Sequence, residues 1–298
     1  MTDPDSRREA ARAANAAGMA LADQGRYAEA ISHYERAIEL HPERYAAYAN
    51  LGIACKHVGD FPRSLSASLR ALELDPEGSG SGVLWNVGIA ATALADWPRA
   101  REAWSKVGIK LPPGEGPLDM DIGATPIRIG PGPSGAKNEV VWCHRIDPAR
   151  ARIESIPTPE SGRRYGDLLL HDGEPTGKRR LGEHEVSVFD ELAVLETSRY
   201  RTFVFDVVAP SAEDLDALYR VFADAPHAAL EDFTGSLQVL CSACSRGLPH
   251  DHHDDAKSAP WSPTRRVALA TLDPGVFALL ACWVSEGPGR AASPPLPM

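Results

Sequence analysis

Long apolar runs are missing from this 298-residue sequence; none approaches the ~18–20 residues that a membrane-crossing helix needs. A secretory leader is not expected, because Arg7, Arg8 and Arg12 have no apolar core behind them. Asp3, Asp5 and Glu9 in the same stretch argue against a transit peptide. Cysteine is scarce: five are present in a chain of this length, three of them widely scattered, which does not make a disulfide framework. The expected location is therefore a reducing one, the cytoplasm. Positive charge is short as well. Against 41 Asp and Glu stand 31 Lys and Arg, a net charge of -10, so neither nucleic acid nor an anionic membrane is an expected partner. Several catalytic signatures are absent: G-x-S-x-G, H-E-x-x-H and the kinase set. The Gly/Pro stretch at 130–135 lacks the GK[ST] ending of a phosphate loop and reads as linker.

What is present in the first third is a repeat. Gly18 pairs with Gly52 at an offset of 34 residues, and the same offset pairs Leu21 with Cys55, Gly25 with Gly59, Tyr27 with Phe61, Ala30 with Ser64, Ala37 with Ala71 and Pro42 with Pro76. A third copy follows at an offset of 36, with Gly88, Ala91, Trp97, Ala100 and Trp104. Its two extra residues fall in the Gly/Ser run 78–82, where insertion costs little. Small residues at Gly18, Gly52 and Gly88 let two helices approach closely. Bulky ones at Tyr27, Tyr34, Phe61, Trp97 and Trp104 fill the space between hairpins. Pro42 and Pro76 end the second helices.

Residues 11–112 thereby resemble the tetratricopeptide repeat, with copies at about 11–44, 45–78 and 81–114. The resemblance implies an all-α solenoid of three helical hairpins whose first helices line a concave groove for a protein or peptide. By position the groove residues are Arg12, Asn15 and Met19, then Ile53, Lys56 and His57, then Trp85 and Ile89. The family's clamp for a terminal carboxylate uses several Lys, Arg and Asn in this groove. Only Arg12, Asn15 and Lys56 remain here, in a different pattern. Repeat arrays usually close with a polar capping helix. None follows, since 113–137 is a Pro/Gly-rich linker, so a later part of the chain is expected to cover Trp97 and Trp104.

From 138 to 298 the pattern turns to strands at 139–146, 151–157, 166–171, 185–191, 201–208, 236–241 and 265–272, with helices at 211–225 and 274–287. The expected fold is α+β overall: the helical repeats, then an α+β, mainly antiparallel domain with a zinc site. Cys241 and Cys244 form a C-x-x-C pair, followed by His250, His252 and His253. Two thiolates and two imidazoles suit tetrahedral Zn²⁺, so a structural zinc is the expected cofactor. The histidines lie closer together than in the usual finger, and one ligand could come from Cys143, His144 or Cys282. Adjacent Cys143 and His144 point to opposite faces of a strand and make no dyad.

The sequence is thus expected to specify a non-enzymatic binding protein, an adaptor or regulator, or a neutraliser of a toxin partner, whose repeats dock a protein and whose zinc-stabilised second part adds a surface. The alternative is a metal-dependent hydrolase with the repeats recruiting substrate. Four protein ligands would mean a closed site; three plus water would favour the enzyme.

Overall fold

The computed structural model describes residues 4–75, 80–130, 139–181, 183–236 and 261–298. These fall into two compact units. One comprises residues 1–122 together with Arg145–Arg150 and Leu170–Gly173; the other comprises Gly123–His144, Ala151–Leu169 and Glu174–Met298.

The first unit begins with six helices in three hairpins: α1 (Pro4–Ala22) with α2 (Tyr27–Leu40), α3 (Tyr45–His57) with α4 (Phe61–Leu74), and α5 (Ser81–Ala93) with α6 (Trp97–Lys106). No strand interrupts them among the described residues. The three repeat glycines stand where a second helix crosses closest. A Cβ on Gly18 would lie 2.6 Å from the Tyr34 ring, one on Gly52 2.5 Å from Ser68 Oγ, and one on Gly88 2.6 Å from the Trp104 ring. Here glycine provides space rather than an unusual backbone angle. The tight turns between paired helices are the other case: Gly25 and Gly59 take φ of 75° and 78°, which a Cβ disfavours. The third repeat places Ala95 there at φ 55°.

The second helices of repeats two and three start alike. Asp60 and Asp96 each accept the backbone N–H three residues on, from Arg63 at 3.2 Å and from Arg99 at 3.3 Å, and a proline follows in the first turn. Tyr34, Leu51, Cys55 and Ala67 form a shared core between the first two hairpins. Burial raises the Cys55 thiol to about 11, so it stays protonated and packs as a small apolar group. Trp104 is wholly buried, edge-on to Trp85 with ring centroids 4.9 Å apart.

The second unit is β-rich. Strands β1 (Gly123–Ile129), β2 (Glu139–Arg145), β3 (Arg150–Ile153), β4 (Leu168–His171), β5 (Gly177–Leu181) and β6 (His184–Glu196) form a sheet in the order β1-β2-β3-β4-β6-β5. β1 also pairs in parallel with β6, Ile127 opposite Phe189, so five strands close into a barrel and β5 extends it as a hairpin arm. Ile127, Ile129, Val141, Cys143, Ile153 and Leu169 fill its interior. Closure leaves no bare edge on those strands, and Lys178, Arg179 and Arg180 put charge on the outer arm.

Next come β7 (Arg201–Val208), α7 (Ala212–Ala223), β8 (Ala228–Asp232), the single turn α8 (Phe233–Ser236), β9 (Thr264–Thr271), α9 (Phe277–Glu286), β10 (Ala291–Ala292) and β11 (Leu296–Pro297). The sheet order β10-β7-β9-β8 along this chain path is the split β-α-β, ferredoxin-like arrangement. Both long helices cover one face, where Phe205, Leu218, Phe222, Leu269, Leu280 and Trp283 pack. α7 begins with a capping box, Ser211 and Asp214 satisfying each other's backbone N–H groups.

The fold expected after the repeats is therefore corrected. A single α+β, mainly antiparallel domain does not describe it. It is a β-rich region with a closed five-stranded barrel, and among the described residues no group of three or more His, Cys, Asp or Glu could hold a metal ion. Closure depends on β1, which lies in the stretch read as linker. Gly123, Pro126 and the following Gly/Pro run hide its strand character, although Thr125, Ile127 and Ile129 alternate inward.

Candidate functional site

The first helices of the hairpins carry the residues that mark the expected groove. On α1, Arg12 is exposed, Met19 is 48% exposed, and Asn15 is buried, accepting a hydrogen bond from Asn50 Nδ2 at 3.1 Å. Asn15 Nδ2 in turn lies 3.4 Å from Met19 Sδ. On α3, Ile53 is half-buried. On α5, Ile89 is a core residue at 1% exposure. α5 is buried around most of its circumference, so helical spacing alone could not separate its groove side from its core side.

Lys56, His57 and Trp85 come together on something the sequence did not announce: the turn after β4. Lys56 Nζ donates to Asp172 Oδ1 at 2.9 Å, with both side chains more than nine-tenths buried. His57 Nε2 lies 3.7 Å from Asp172 Oδ2, and the His57 ring stacks on Tyr27 with centroids 4.1 Å apart. Asp172 Oδ1 also accepts the Gly173 N–H at 2.7 Å. Lys56 and His57 sit in the last turn of α3, where the helix dipole favours a cation. Gly173 lies flat against the Trp85 indole; a Cβ there would be 2.6 Å from the ring. Gly173 is not among the positive-φ glycines, so its lack of a side chain serves the indole rather than the turn.

A second later segment completes this unit. Asp147 accepts the N–H groups of Ala149 at 2.9 Å and Arg150 at 2.7 Å, and its other oxygen takes Arg150 Nε at 2.6 Å. Arg150 Nη2 reaches the Leu118 carbonyl at 2.5 Å, and its guanidinium covers the Trp97 ring at 4.8 Å from the centroid. This is cover for Trp97 of the kind the missing capping helix called for. Sequence reading passed over Asp147, Arg150 and Gly173 as binding residues, since each also suits an ordinary turn. Asp172-Gly173 is by sequence an ordinary turn dipeptide, and nothing in it marks a ligand.

Arg163, in the basic turn before β4, donates to Glu191 Oε1 at 2.7 Å, and Glu191 Oε2 accepts the Gly130 N–H at 3.0 Å. Cys143 lies inside the barrel, where burial pushes its thiol far up, while His144 faces outward beside Glu154 at 3.9 Å. Cys282 is exposed on α9. Cys241, Cys244, His250, His252 and His253 fall between α8 and β9 and lie outside the described residues.

Residues 9–77 match the family model of the tetratricopeptide repeat. The match spans the first two helical hairpins, which are tetratricopeptide repeats. No curated protein matches the chain. Among solved structures, the tetratricopeptide-repeat domain of Arabidopsis OM64 is 19% identical, with 34% of this chain and 82% of that one covered and a TM-score of 0.32. The second tetratricopeptide-repeat domain of Spaghetti (RPAP3), bound to the HSP90 peptide SRMEEVD, is 22% identical over 35% of this chain and 94% of its own, with a TM-score of 0.33. The TPR2AB domain of yeast Sti1, in complex with pHSP90, is 21% identical over 35% and 40%, with a TM-score of 0.32. The family model ends within the repeats and does not reach the barrel.

Proposed function

We propose that this protein is a non-enzymatic adaptor whose tetratricopeptide repeats dock a protein or peptide partner. One observation supports the reading: the first helices of the second and third hairpins hold a turn of the chain, Asp172–Gly173, with a buried cation on its carboxylate and an indole on its glycine. The same face continues onto α1, where Arg12 and Met19 are exposed and Asn15 is held in place by Asn50. An extended or helical segment laid along α1 would find an apolar thioether, a cation and amide groups, a mixed surface suited to peptide recognition.

Affinity capture from the native host, with mass spectrometry of what co-purifies, tests this reading. Met19→Glu and Arg12→Glu, both at exposed positions, are expected to lose the partner captured by the wild type while keeping its helical circular dichroism. Capture unchanged in both variants would move the docking surface off the repeats.

A structural zinc on Cys241, Cys244 and two of the three nearby histidines rests on the sequence pattern alone. Elemental analysis of tag-free protein tests it. About one zinc per chain, released on acidification as ligands protonate, is the expected result. A chelator-sensitive hydrolytic activity would favour the enzyme alternative instead.

A further inference from the structure

We propose that the turn after β4, Asp172–Gly173, is a built-in ligand of the repeats: it fills the pocket of Lys56, His57 and Trp85, and an outside segment presenting an Asp-Gly turn enters only by displacing it. The inference rests on the adaptor reading and names both the chemistry of this pocket and what guards it.

Three observations carry it. The first is the buried ion pair. Lys56 and Asp172 are taken out of water to meet at 2.9 Å, and the attraction is offset by the desolvation of both charges. Such a pair selects its partner strongly while adding little net stability, so it suits an exchangeable contact better than a permanent joint. The second is the indole contact. The Trp85 ring rests edge-on against buried Trp104, itself pressed on Gly88, so a side chain at Gly173 would crowd a supported indole. The pocket therefore accepts only a residue without a side chain after the carboxylate. The third is tethering. The turn belongs to the same chain, and a tethered ligand at high effective concentration masks the pocket from weak competitors. The apparent affinity of an outside peptide is lowered by the small fraction of time the turn is out.

The probe is a fluorescent, end-blocked peptide with the sequence of residues 170–175, titrated into the full chain. Two variants loosen the turn by separate routes. Gly173→Ala places a Cβ against the indole. Asp172→Asn removes the charge held by Lys56. Both are expected to bind the peptide at least tenfold more tightly than the wild type. A peptide with its Asp changed to Ala should lose that gain. The double variant Lys56→Met/Asp172→Asn, which removes both charges together, should lose it too. Equal affinity across the wild type, both loosened variants and the double variant would overturn the proposal and leave the turn as a fixed structural joint. The adaptor reading would survive that result, because it is judged by capture through Arg12 and Met19.

Discussion

His171 stands next to the tethered aspartate and is wholly buried. Its Nδ1 lies 2.7 Å from the Asp172 carbonyl oxygen, yet burial, aided by the Arg145 charge, lowers its pKa from 6.5 to about 4. The unfolded chain therefore holds a proton that the folded one refuses between these values. The stabilisation is fully present above pH 6.5 and is lost progressively as pH falls towards 4, on the order of 3 kcal/mol across the interval. Chemical denaturation at pH 7 and pH 5 should show the loss, and the His171 imidazole should not titrate by NMR until well below pH 6. A resonance titrating near 6.5 in the folded protein would contradict it. Single residues were unevenly legible. Gly18, Gly52 and Gly88 announced close packing because three copies aligned. Gly173 has no second copy, and nothing near it in the sequence distinguishes space for an indole from an ordinary turn.

Among the elements, the third hairpin shows two uses of glycine separately. Gly88→Ala gains helix propensity of up to about 1 kcal/mol, but its Cβ meets the rigid Trp104 ring, so overpacking costing about 1–3 kcal/mol should dominate. Ala95→Gly does the reverse. It relieves a left-handed alanine in a turn where the other repeats have glycine, and should raise stability by about 1 kcal/mol. Urea melts of the two variants check both signs; a stabilised Gly88→Ala would show that Trp104 moves freely. Elements with strong periodicity were read well. α7 was expected at 211–225 and found at Ala212–Ala223, and β7 and β9 fall almost on the expected residues. β8 was missed. β8 is a short edge strand, Ala228–Asp232, with two alanines and two acids and no β-branched residue. β5, Gly177–Leu181, is mostly charged, and its pairing with β6 makes it a strand.

On the scale of the whole chain, the first unit is not a continuous stretch. Cutting after residue 122 removes Arg145–Arg150 and Leu170–Gly173, and with them the cover on Trp97 and the anion on Lys56. The isolated fragment 1–122 is therefore expected to melt at lower temperature than the same helices in the full chain and to be cut faster by trypsin near Lys56. Equal melting and equal resistance would show the later segments to be dispensable. Sequence reading found the repeats because their period is local. It missed the barrel and the groove's occupant because both are made by pairings distant in sequence, β1 with β6 and Lys56 with Asp172. The same discontinuity matters during synthesis. At roughly 5–20 residues per second, the 51 residues from 122 to 173 take on the order of 3–10 s to be added. During that interval the newborn helices present an unclaimed lysine and a bare indole, so a nascent chain meets its surroundings with the pocket open before its own turn has been made.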